Sequence, residues 1–188
     1  MKKLLIMALG CVVAAGACAE SQPIQFSLTP DIAMHPRETQ IKGASIGIWN
    51  ENPAGTQWQF GFVNGTSGDS VGIQGLPFFV GIPSFYNYAE NYKGAQLGIV
   101  NYASGDFTGL QWGVVNYAST LTGAQIGIVN LTETTTAGFQ LGIVNHVRNG
   151  NKLLQIGIVN IIEDNESFNN FPNDLSKGMV IVNWSFGE

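Results

Sequence analysis

The sequence predicts an all-β fold built from tandem copies of one short unit. The expected form is an up-and-down meander closing into a barrel of about ten strands, with a β-solenoid of 14–15-residue coils as the alternative. Three observations predict it. A Gly-x-Gln-x-Gly-x-Val-Asn unit recurs along the chain. Side-chain character alternates with period two inside each copy, as a strand requires. Stretches rich in Ser, Thr, Asn and Gly separate the copies, as turns require.

Residues 1–19 read as a signal peptide. Lys2 and Lys3 are the positive region, Leu4 to Ala15 the apolar stretch, and Ala17-Cys18-Ala19 a cleavage site. Acylation at Cys18, making the chain a lipoprotein, is the competing reading. Both cysteines, Cys11 and Cys18, lie in this segment, so cleavage after Ala19 leaves no thiol nucleophile, disulfide or thiolate metal site. Residues 20–188 then form a single domain. Its six cations face 13 acids, a net charge of −7, with no basic stripe for nucleic acid. No later stretch approaches the ~20 apolar residues of a helical membrane span.

The clearest units are Gly94 to Asn101, Gly109 to Asn116, Gly123 to Asn130 and Gly138 to Asn145. Leu153 to Asn160, Gly43 to Asn50 and Gln57 to Asn64 follow the same pattern, and degenerate copies end at Asn87 and Asn183. The asparagines are spaced 14, 23, 14, 15, 14, 15, 15 and 23 residues apart, which chance does not produce. The repeat-signature residues are Asn50, Gln59, Asn64, Gln96, Asn101, Gln111, Asn116, Gln125, Asn130, Gln140, Asn145, Gln155, Asn160 and Asn183. Turn-like stretches include Ala103 to Asp106, Ala118 to Thr120, Thr132 to Thr134 and Arg148 to Asn151.

The barrel uses both faces of each strand. Leu97, Ile99 and their equivalents form an apolar layer, while Gln96, Gly98 and theirs suit a narrow interior. Tyr92, Tyr102, Phe107 and Tyr117 near strand ends fit the aromatic girdles of outer-membrane barrels. The solenoid explains better why every unit is alike, and it stacks Gln on Gln and Asn on Asn. A five-residue rhythm (Leu97, Tyr102, Phe107, Trp112, Tyr117) also favours it. Against it, Ile99, Val114, Ile128, Ile143 and Ile158 would occupy exposed corners.

These units, with Asn-Tyr-Ala between several of them, resemble a bacterial surface-repeat family of unknown function. The resemblance covers most of the chain after residue 19. It is strongest from Gly94 to Ile162 and from Met179 to Phe186. It implies architecture and carries over no functional residue. Some relatives are labelled polyhydroxyalkanoate synthase. That activity needs a cysteine nucleophile at a strand-to-helix turn, with Asp and His partners, and after cleavage this sequence has no cysteine and lacks the alternating helices of an α/β-hydrolase.

Other candidates for chemistry have plainer explanations. Gly43-Ala-Ser45-Ile-Gly47 matches a nucleophile-elbow pattern, but Ser45 fills the Gln slot of its repeat. His35 and His146 lack acids at ligand spacing. Gly65 to Ser70 lacks the Lys and helix of a phosphate loop. Glu163-Asp-Asn-Glu166 lacks calcium-loop spacing. The Gln and Asn rows, with neighbouring Tyr and Trp, are compatible with sugar or polymer binding, but amides that pair with backbone or with one another are the plainer reading.

The expectation is a non-catalytic exported envelope or surface protein of the outer-membrane barrel type, with no catalytic residue, cofactor or metal. Outer-membrane lipid is one partner class, a glycan or surface protein another. The alternative is a soluble secreted repeat domain that binds a glycan or protein, and the remote alternative is a hydrolase-like or synthase enzyme. Oligomeric state is open.

Overall fold

The computed structural model describes residues 21–75 and 84–186. The expected signal segment, with Cys11 and Cys18, lies outside the described residues. Ten strands are present: β1 (Gln22–Thr29), β2 (Ile32–Ala33), β3 (Ile41–Gly47), β4 (Trp49–Phe60), β5 (Val63–Gly75), β6 (Ser84–Trp112), β7 (Val115–Ile126), β8 (Val129–Asn149), β9 (Leu153–Ile162) and β10 (Gly178–Ser185). Among the described residues there is no helix.

Their order is β10-β9-β8-β7-β6-β5-β4-β3-β1-β2. From β3 to β9 every neighbouring pair is parallel and matches unit to unit. Asn50 faces Asn64, Asn101 faces Asn116, and Gln125 faces Gln140. Among the described residues, antiparallel pairing lies at the two ends, β1 with β2 and β10 with β9, with an isolated bridge from Asp174 to Ser185. Successive units are therefore stacked coils, about nine turns of a β-solenoid.

The barrel expected from the sequence is thus corrected to its alternative, and the outer-membrane barrel form of the expectation falls with it. A meander requires antiparallel neighbours, and closure would pair the first strand with the last. Here neighbours are parallel and the order terminates at β10 and β2.

The physical reason lies in one bend per coil. Gln111 and Asn116 are five residues apart, so a straight strand would send them to opposite faces. Both are fully buried. The chain bends at Gly113–Val114, between β6 and β7, and again at Gly127–Ile128, between β7 and β8. Each bend resets the alternation, so both amides point inward and the residue after the glycine points outward.

Glycine is required at this bend because the coils touch there. A Cβ on Gly113 would lie 2.1 Å from the Gly98 carbonyl oxygen and 2.7 Å from Asn101 Nδ2. Gly113→Ala is expected to destabilise the fold by about 3 kcal/mol through forced separation of coils. Gly178→Ala is the control, since nothing lies within 4 Å of its Cβ position. It should change stability by less than ~0.5 kcal/mol. Equal denaturant midpoints for the two variants would refute the close-contact account.

The coil interior has two ends. Near the bend it holds the amides. Toward the opposite turn it is apolar, with Ala89, Tyr92, Ala103, Phe107, Ala118 and Leu121 in one cluster and Val147, Leu153 and Ile162 in another. The Tyr92 and Phe107 rings stack with centroids 6.2 Å apart.

Candidate functional site: amide ladders and an apolar corner

Parallel in-register stacking puts identical side chains one coil apart, which lets an amide hydrogen-bond its own equivalent. The asparagines do so without a break from Asn50 to Asn160. Each Nδ2 donates to the Oδ1 of the next asparagine toward the C-terminus, at 2.8–2.9 Å. The glutamines form a second ladder, from Gln59 through Gln74, Gln96, Gln111, Gln125 and Gln140 to Gln155. Here each Nε2 donates backward, to the Oε1 of the preceding glutamine, at 2.7–2.8 Å.

The second amide proton is also used. Asn101, Asn116, Asn130 and Asn145 donate to the carbonyls of Trp112, Ile126, Leu141 and Ile156 in the next coil. Gln111 donates across the interior to the Tyr117 carbonyl at 2.9 Å, and Gln155 to that of Ile161 at 3.0 Å. Asparagine thus ties coil to coil, while glutamine ties the two limbs of one coil. Every one of these amides is fully buried. A buried amide with its donors engaged stabilises the fold and offers no donor to a ligand.

The ladders end in capping contacts. Ser27 Oγ donates to Asn50 Oδ1 at 2.6 Å, and Asn160 Nδ2 donates to the Gly157 carbonyl. Ser45 stands between Gln25 and Gln59 in the glutamine column. It is fully buried and donates to Asn52 Oδ1 at 2.8 Å, so it presents no nucleophile to solvent. Gln25 closes that column by bonding the backbone of His35, at 2.9 and 3.0 Å. At the other end Gln155 Oε1 is buried with no partner. Asn183 stands outside the ladder. It faces Gln155 across the antiparallel β10–β9 pair and donates to the Ser176 carbonyl at 2.8 Å.

Gln74 is a rung that the sequence reading passed over. Its signal was Gly72-Ile73-Gln74, separated from Asn87 by an insertion. Gln25 carried no motif at all.

Several titratable groups make surface contacts. His146 Nε2 lies 2.8 Å from Glu163 Oε1, and that hydrogen bond holds the Glu163 carboxyl below the usual glutamate range. Asp164 accepts the Gly150 N–H with both oxygens. Burial pushes the Tyr92 phenol up, and burial followed by its hydrogen bond to Glu51 does the same for Tyr88. Both phenols stay protonated at neutral pH. No group of three or more His, Cys, Asp or Glu able to hold a metal occurs among the described residues.

What remains for function is the outside of the bend. In the coils with an uninterrupted unit, the residue after Gln (Ser45 in the first), the residue after Gly and the residue before Asn point outward round one corner. These are Leu97, Ile99 and Val100 in one coil, Ile126, Ile128 and Val129 in another, and Ile156, Ile158 and Val159 in a third. The corners that argued against a solenoid are exposed: Val114 by 42%, Ile128 and Ile143 by 47% each, and Ile158 by 64%. Ile46, Ile48, Phe62 and Phe85 continue the strip toward the N-terminus, Phe26 and Leu28 extend it onto β1, and Val180 and Ile181 onto β10. Near its C-terminal end the strip folds into a groove of about 570 Å³ lined by Ile126, Leu141, Ile143, Ile156, Ile158, Val180 and Ile181.

Beside the corner runs a row of outward aromatics. Tyr102 and Tyr117 stack with centroids 5.0 Å apart and planes 12° apart, and Tyr86 stacks on Tyr88 at 5.5 Å. Comparisons with family models, curated proteins and solved structures found no match for this chain.

Proposed function

We propose that this chain is a non-catalytic, exported protein of the bacterial envelope or surface, and that it works by contact through its apolar corner. The carrying observation is the aliphatic and aromatic strip over the described corner positions, with no charged residue at any of them. Soluble monomers rarely expose apolar patches above ~300–600 Å², and larger ones mark interaction surfaces. The signal-like residues 1–19 and the resemblance to bacterial surface repeats support the envelope assignment. The interior supports a non-catalytic role, because its ladder amides donate to one another and to backbone carbonyls.

The test is a double substitution, Ile128→Asp with Ile143→Asp. Both side chains face outward, so the β circular dichroism spectrum and the melting temperature should stay near wild type. Retention in the envelope fraction should fall at least tenfold. A variant that fractionates like wild type would overturn the reading, and so would a wild-type chain released by buffer alone.

The alternative, a soluble secreted domain binding a glycan, is favoured by one observation, the exposed Tyr102–Tyr117 stack. Tyrosine faces stack on sugar rings. A chain free of the envelope yet retained on an insoluble glycan would decide for it.

A further inference from the structure

We infer that the apolar corner is an interface between two copies of this chain. The inference rests on the reading that the corner is the working surface, and it names the partner. Three properties of the corner carry it.

The first is size. Coils stack at about 4.8 Å, so nine turns make a strip roughly 40 Å long. With its large side chains about half exposed, the strip presents on the order of 1,500 Å² of apolar surface. A stable interface needs about 800 Å² from each partner. A second copy covers most of such a strip, whereas a short peptide covers a fraction of it.

The second is period. Corner side chains such as Val114, Ile128, Ile143 and Ile158 recur once per coil. A second copy presents the same period by construction. Offset by half a coil, the branched side chains of one corner seat between those of the other, as in the interdigitated packing of stacked strands. A partner of a different period loses register within a few coils.

The third is charge. The chain carries −5 overall, and its described cations, Arg37, Lys42, Lys93, Arg148, Lys152 and Lys177, all lie outside the corner rows. Surfaces that bind bilayers set Lys and Arg beside the apolar residues to engage anionic headgroups. This corner has no such flank. Two uncharged corners bring no like charges into contact, and the remaining surface charge is screened beyond ~8 Å at physiological salt.

The experiment is sedimentation equilibrium of the full chain recovered from expressing cells, at roughly 1–100 µM, paired with flotation on phosphatidylethanolamine–phosphatidylglycerol vesicles. Wild type is expected to sediment at twice the chain mass and not to float. Val114→Asp with Ile143→Asp should sediment as a monomer with an unchanged circular dichroism spectrum. Thr108→Asp, outside the corner, should remain a dimer. A wild-type monomer that floats would overturn the inference in favour of lipid, and a monomer that does not float would overturn it outright. A dimer indifferent to the corner substitutions would also overturn it. In each of those cases the Ile128 and Ile143 fractionation result still judges the functional reading separately.

Discussion

Asn116→Ala is expected to lower the unfolding free energy by about 3–5 kcal/mol. The substitution deletes the donor to Asn130 Oδ1 and the donor to the Ile126 carbonyl, both buried, and it removes the acceptor for Asn101 Nδ2. A buried polar group left without its partner costs about 1–3 kcal/mol, and at least two are stranded here. The neighbours cannot recover the loss by moving, because Asn101 and Asn130 are held by their own carbonyl contacts to Trp112 and Leu141. Ser104→Ala provides the comparison. Its hydroxyl makes one long contact, 3.4 Å to the Ala89 carbonyl, and its loss should be within ~0.5 kcal/mol of neutral. Denaturant unfolding followed by circular dichroism measures both. A loss below 1 kcal/mol for Asn116→Ala would mean that the ladder is incidental to stability.

Removal of both caps, residues 21–40 and 163–188, should convert the chain from a discrete particle into end-to-end fibres. β9 is the last parallel coil. β10 reverses direction against it, and Leu153 and Ile162 beneath it are fully buried. Without β10, β9 presents a free edge of backbone groups, an unpartnered Gln155 Oε1 and newly exposed Leu153 and Ile162. Such an edge is a template for any strand of the same pattern. At the other end Gln25 is closed by the His35 backbone, and β2 runs antiparallel to β1. Solenoids need atypical terminal units for this reason. Thioflavin fluorescence, pelleting and a 4.7–4.8 Å fibre reflection would report the change. A truncated chain that stays monodisperse at ~100 µM for days would refute the capping role.

The repeat was legible in the sequence from β3 to β9, and so was its β character. Asparagine spacing located those parallel coils but not β1, which pairs parallel with β3 without a motif, and the alternation between Gly94 and Leu97 gave the correct inward and outward assignment on that limb. The error came at the bend. Alternation read straight through Gly113 sends Asn116 to the opposite face from Gln111, which describes a barrel wall. Nothing local announces that Gly113 is a bend rather than a small residue in a narrow lumen. The evidence is the approach of Gly98 from the neighbouring coil, a contact between positions 15 residues apart. The exposed isoleucines misled for a related reason. Burial rules count an aliphatic corner as improbable in one chain, and they contain no term for a surface awaiting a partner. Asn183 shared the Val-Asn ending of the other units, yet a strand that reverses carries the same letters into a different register. Gln74 was hidden because its asparagine stands 13 residues downstream rather than five.

The two ladders donate in opposite senses along the same axis, and this bears on how long such a protein can be. Each side-chain amide has a permanent dipole, and a column of aligned amides adds them head to tail, as peptide units add in a helix. One column alone would place growing partial charges of opposite sign at the two poles of the molecule. With seven asparagine and six glutamine links opposed, the columns nearly cancel. Inserting or deleting a whole coil therefore leaves the polarity of the rod almost unchanged, and electrostatics sets no preferred number of turns.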